Sequence, residues 1–72
     1  MDNIKKEKIA VWNKKLGELE TQLQVVMQQK GEAAAMGDLS ENAAYKMALE
    51  EAETLRVRIS EIQKIISKLE NN

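Results

Sequence analysis

Cysteine, histidine, proline and phenylalanine are all missing from this chain of 72 residues. Without Cys or His there is no disulfide framework, no zinc site of the usual kind, and no thiol or imidazole nucleophile. Without Pro nothing forces a helix to kink. One Trp and one Tyr are the whole aromatic content. Nowhere do aromatic and β-branched residues alternate with polar ones over a length that would make a strand. Basic and acidic side chains nearly cancel, 11 against 12, so the strong basic excess of a general nucleic-acid clamp is excluded. No apolar run approaches the roughly 18 residues of a membrane span, and no signal-peptide pattern opens the chain. A small cytoplasmic protein with no membrane association is expected. At this length a single core is marginal, so either self-association as a homo-oligomer or a partner domain is expected to complete it.

What is present is helix-forming. Lys, Glu, Gln, Leu, Ala and Met dominate, and all favour the α-helix. In the first half, Ile9, Trp12, Leu16, Leu19, Leu23 and Val26 alternate strictly at spacings of three and four. In the second, Tyr45, Ala48, Ala52, Leu55, Ile59, Ile62, Ile66 and Leu69 do the same. Apolar residues at the a and d positions, with charges between them, mark coiled-coil helices. Between the two seams lies a turn signal: Gly37 is placed to follow the end of a helix, and Asp38, Leu39 and Ser40 follow it. The pattern predicts an all-α fold, a long antiparallel two-helix coiled-coil hairpin with an acidic tip. The expected boundaries are a helix over about 3–36, a tip at 37–40 and a helix over about 41–70, in a single domain spanning 1–72. The rival is a dimer in which two unbroken helices are swapped between chains. Gly17 sits inside the first helix at a cost of about 1 kcal/mol. Ile4, Val11 and Val25 share one heptad position off the seam, while Met47, Leu49, Val57 and Ile65 are scattered on the second helix. Partial exposure, a dimer face or contact with another domain would each account for them.

Charge is unevenly distributed. Residues 1–30 carry six basic and four acidic groups, and residues 54–72 carry four and two. The stretch 31–53 has Lys46 alone against Glu32, Asp38, Glu41, Glu50, Glu51 and Glu53, a net −5. Folded as a hairpin, the chain becomes a rod with a negative tip and a mildly positive base. Carboxylates at a sharp turn can hold a divalent cation. Asp38 and Glu41 also fit a capping box, with Asp38 as N-cap and Glu41 reaching back to its backbone N–H. The helix macrodipole favours acids at that end in either case.

The nine residues Gly37-Asp38-Leu39-Ser40-Glu41-Asn42-Ala43-Ala44-Tyr45 resemble the tip of the N-terminal coiled-coil domain of the bacterial transcript-cleavage factors GreA and GreB. The family pattern reads Gly-Asp-Leu, a variable residue, then Glu-Asn-Ala-Glu-Tyr. Eight of the nine positions agree, Ser40 being the variable one, and Ala44 stands where the family has Glu. With the paired heptads, the resemblance covers essentially the whole chain. The family also has a C-terminal globular domain, which is expected to be absent from this chain.

The resemblance implies a partner and a mechanism. The family's hairpin enters the secondary channel of bacterial RNA polymerase and promotes cleavage of backtracked transcript. Carried over by motif position, Asp38 and Glu41 are the tip carboxylates that help hold the second catalytic Mg²⁺ and position water in the polymerase active site. The metal is shared with the polymerase, and the RNA 3′ end is met only within it. Such a protein is not itself an enzyme, because it stimulates the polymerase's own nuclease activity. Leu39, Ser40, Asn42, Tyr45 and Lys46 would shape the tip or contact the channel, with Tyr45 also filling a seam position. The family's Arg residues flanking the motif correspond here to the stretches Ala33-Ala34-Ala35 and Lys46-Met47-Ala48-Leu49. Two alternatives stand beside this reading. One is a channel-binding inhibitor that does not stimulate cleavage, and the other is a coiled-coil module whose purpose is oligomerisation.

Overall fold

The computed structural model describes residues 2–38 and 41–71. Two helices account for nearly all of them, α1 over Asp2–Ala34 and α2 over Ala43–Asn71. The Cα trace measures 55 × 15 × 12 Å. A helix as long as α1 spans about 50 Å, and one unbroken helix of the whole chain would reach about 108 Å. The measured length therefore requires α2 to lie back along α1, as the turn signal predicts.

The two seams meet along this axis. Leu19, Val26, Ala48, Ala52, Leu55, Ile62 and Ile66 form the buried cluster, with Trp12, Leu16, Leu23, Met27 and Ile59 packed against it. Every seam residue predicted from the heptads is buried or half-buried. The register also continues beyond the apolar pattern. Lys5 and Lys30 occupy seam positions and are half-buried, and Ala33, one step further on, is buried. A Lys can hold such a position by laying its aliphatic stem along the seam and keeping its ammonium in water.

Off the seam, Ile4, Val11, Val25, Met47, Leu49 and Val57 are exposed, while Ile65 is half-buried. The whole molecule exposes 5555 Å², against about 4,500 Å² for a compact domain of its mass. Two helices side by side can cover only one stripe of each other. The remaining surface is the price of reach.

The ends of the helices at the tip differ from the sequence expectation by about two residues. α1 stops at Ala34 rather than near residue 36, because its last turn tightens. The Ala35 N–H donates to the Gly31 carbonyl at 3.1 Å, but the Met36 N–H reaches only three residues back, to the Ala33 carbonyl, also at 3.1 Å. Gly37 then turns the chain with φ of +125°, a conformation that a residue with a Cβ rarely adopts. α2 starts at Ala43 rather than Glu41, because Asn42 caps it.

Candidate functional site: the tip of the hairpin

The Asn42 side chain bridges the two helix ends at the neck of the tip. The Asn42 Nδ2 group donates to the Ala33 carbonyl at 2.7 Å, and Asn42 Oδ1 accepts from the Tyr45 N–H at 3.1 Å. The Asn42 carbonyl accepts the first intrahelical bond, from the Lys46 N–H at 3.2 Å. Those last two bonds make Asn42 the N-cap of α2, with Tyr45 as the third helical residue. The first ties the cap to the end of α1. The Ala33 carbonyl thus accepts from both Met36 of its own turn and Asn42 of the returning chain, using both its lone pairs.

This corrects the capping-box expectation. Asp38 is not the N-cap of α2, since the helix begins five residues later and Asn42 fills that role. The signal was present in the sequence. Asn is among the strongest N-cap residues, and here it directly precedes the Ala43-Ala44-Tyr45 run. What no local rule could show is its second bond, to a carbonyl nine positions earlier.

With the cap assigned to Asn42, both acids lie outside the helices. Asp38 and Glu41 are exposed on the connecting segment. Tyr45 is half-buried in the seam and Lys46 is exposed on the first turn of α2. Leu39 and Ser40 lie outside the described residues. Oxygen donors of this kind suit a hard cation such as Mg²⁺, which takes one or two protein carboxylates and completes its shell with water and phosphate. Among the described residues no three acidic, His or Cys side chains cluster closely enough to hold a metal by themselves.

Fold and tip together define a class: an antiparallel coiled-coil hairpin that presents an acidic turn at the end of a narrow rod. The particular family follows from comparison with known proteins. The GreA/GreB model described as the N-terminal domain of transcription elongation factors matches residues 4–70, and the chain belongs to that family. The transcription elongation factor GreA of Mesomycoplasma hyopneumoniae strain J is 40% identical over 76 aligned positions, covering 94% of this chain and 48% of that protein. The GreA proteins of strains 7448 and 232 are each 38% identical over the same shares. The chain therefore spans about half the length of the curated relatives it matches. No solved structure matches it. No described helix is long and apolar enough to cross a membrane.

Proposed function

We propose that this hairpin is a transcription elongation accessory that enters the secondary channel of bacterial RNA polymerase and promotes cleavage of backtracked transcript. The observation that carries the reading is the tip: Asp38 and Glu41 exposed on the segment between the helices, at the end of a narrow rod whose Cα trace extends 55 Å along its axis and 15 Å across it. Such a rod can deliver a functional group deep into a narrow passage. In this reading the nuclease activity belongs to the polymerase, and the hairpin stimulates it rather than acting as an enzyme by itself.

In this role each part has a task. The packed shaft supplies length and stiffness. Asn42 holds the neck closed, which limits the range of positions open to the two carboxylates. Asp38 and Glu41 provide a partial ligand set, and Mg²⁺ held there would help activate water for phosphodiester hydrolysis. The polymerase and the RNA phosphate would supply the other ligands. The RNA 3′ end is met only inside the polymerase, which also places the protein in the cytoplasm.

The test is RNA cleavage in a purified, artificially backtracked polymerase complex containing Mg²⁺, with wild type and Asp38→Asn compared at high concentration. Faster cleavage with wild type, lost in Asp38→Asn while helicity is unchanged, supports the reading. Equal rates with and without the wild-type chain reject it.

A second reading, channel occupancy without stimulation, is favoured by one observation. The turns flanking the tip carry Ala33-Ala34-Ala35 and Ala44, leaving Lys46 as their one basic residue. RNA phosphate then meets little positive charge. Under this reading the chain slows cleavage driven by an authentic cleavage factor through competition, and Asp38→Asn competes as well as wild type.

A further inference from the structure

Beside the acidic segment the tip has a cleft for which the carboxylate reading has no use. Its lining includes buried Ala33 and Ala48, exposed Ala44, Met36 and Met47, and the carboxylates Glu32 and Glu51. Its volume is about 350 Å³, near the lower end of small-ligand sites and suited to a side chain or two. Met36 is 80% exposed and Met47 68%, so two large apolar groups stand in water at the leading end of the rod. Methionine at such a place suits an adaptable binding surface, because its unbranched thioether refits to many shapes. Ala44 keeps the cleft apolar, since the Glu of the family pattern would bring a third carboxylate to it.

The rim decides what can enter. The described lining contains no Lys or Arg, and all of it but Gln29 lies within the stretch of net −5. A second copy of the tip would bring a like charge against it, as would nucleic acid or an anionic lipid surface. The groove at the base, lined by Ile4, Glu7, Lys8, Val11 and Trp12, has both signs and selects nothing by charge. We infer that the tip cleft receives an apolar side chain from a protein segment that carries Lys or Arg on either side of it. The apolar side chain displaces water from the alanine floor between the methionines, and the flanking cations meet Glu32 and Glu51. This rests on the polymerase-channel reading, under which the segment belongs to the polymerase.

The experiment measures binding of the labelled full chain to a purified bacterial polymerase elongation complex, using Met47→Gln, Ala44→Gln and Glu51→Lys, with Val25→Gln as a surface control. All four positions are exposed, and circular dichroism checks that each variant folds. The three cleft variants are expected to bind about ten-fold more weakly than wild type, and Val25→Gln equally. Binding of all four variants at wild-type strength overturns the cleft while leaving the channel reading intact. Tighter binding by Glu51→Lys overturns the basic character of the occupant. A separate arm uses methyl-labelled methionine spectra of the free chain, titrated with the peptide Lys-Lys-Leu-Lys-Lys or with Glu-Glu-Leu-Glu-Glu. Shifts at Met36 and Met47 with the basic peptide alone support the cleft even if the chain fails to bind polymerase. No shift with the basic peptide, in a chain that also fails to bind polymerase, overturns it.

Discussion

The shaft and the tip of this hairpin are held by different forces. Along the shaft, Leu19, Val26, Leu55, Ile62 and Ile66 are buried, and among the described residues no polar side chain is buried with them. Toward the tip the buried residues shrink to Ala52, Ala48 and Ala33. An alanine methyl withdraws little area from water, so packing weakens where the chain must turn. There the two helices are joined by Asn42, through one bond to each. Apolar packing is non-directional and serves to lay two helices side by side. A hydrogen bond is directional, and only such a bond can fix where a short connecting segment starts and ends.

Substitutions at five positions would break or sharpen that contrast. The largest effect is expected at Leu19, 1% exposed and the largest fully buried side chain described. Leu19→Ala should lower unfolding stability by about 3 kcal/mol, which in a domain this small removes much of the total. Urea denaturation followed by circular dichroism measures it, and a loss below about 1 kcal/mol would mean that the shaft core is not closely packed.

Asn42→Ala comes next, at about 2 kcal/mol, because it removes both the cap and the bond to α1. Asn42→Asp separates the two: its carboxylate still accepts from the Tyr45 N–H but cannot donate to the Ala33 carbonyl. Its stability should fall by less than that of Asn42→Ala, while amide exchange across 35–41 accelerates as in Asn42→Ala. If Asn42→Asp leaves exchange there unchanged, the bond between the helix ends does not govern the tip.

Gly37→Ala should cost about 1–2 kcal/mol, since its φ of +125° is strained for any residue with a Cβ. Among the described residues no atom lies within 4 Å of a Cβ built at that site, so the expected cost is that of the backbone conformation. The same melts report it, and equal stability would show that the turn can relax.

In the shaft the sign reverses. A Cβ on Gly17 meets nothing within 4 Å, and the residue lies inside α1, so Gly17→Ala should raise stability by about 1 kcal/mol. The smallest effect belongs to Val25→Gln. Val25 is half in water off the seam, and its replacement should stay within about 0.5 kcal/mol. A larger loss accompanied by a change in sedimentation would instead reveal a partner on that face.

The shaft was readable in advance because its signal repeats. Fourteen apolar residues at heptad spacing all pointed to one buried stripe, and each is at least half-buried. The apolar signal falls short of the packed seam only where Lys5 and Lys30 interrupt it, since the register admits a Lys stem that a hydropathy rule counts as solvent. The tip was readable as a motif and less so as a structure. Gly37 announces the turn, but the spacing of Asp38 and Glu41 also fits a capping box, while Asn42 is the actual cap. Leu39 and Ser40, both placed at the tip by the motif, lie outside the described residues.

Composition and periodicity alone were enough for two helices, their seam and the acidic character of the turn, because propensity, heptad spacing and charge are local properties of the chain. Three things required the folded molecule. The Ala33 carbonyl meets Asn42 only when the helix ends come together. The alanine cleft between Met36 and Met47 takes its walls from both helices. The exposure of Ile4, Val11 and Val25 depends on which stripe the partner helix covers. Each arises between residues distant along the chain, and no local rule reaches that far.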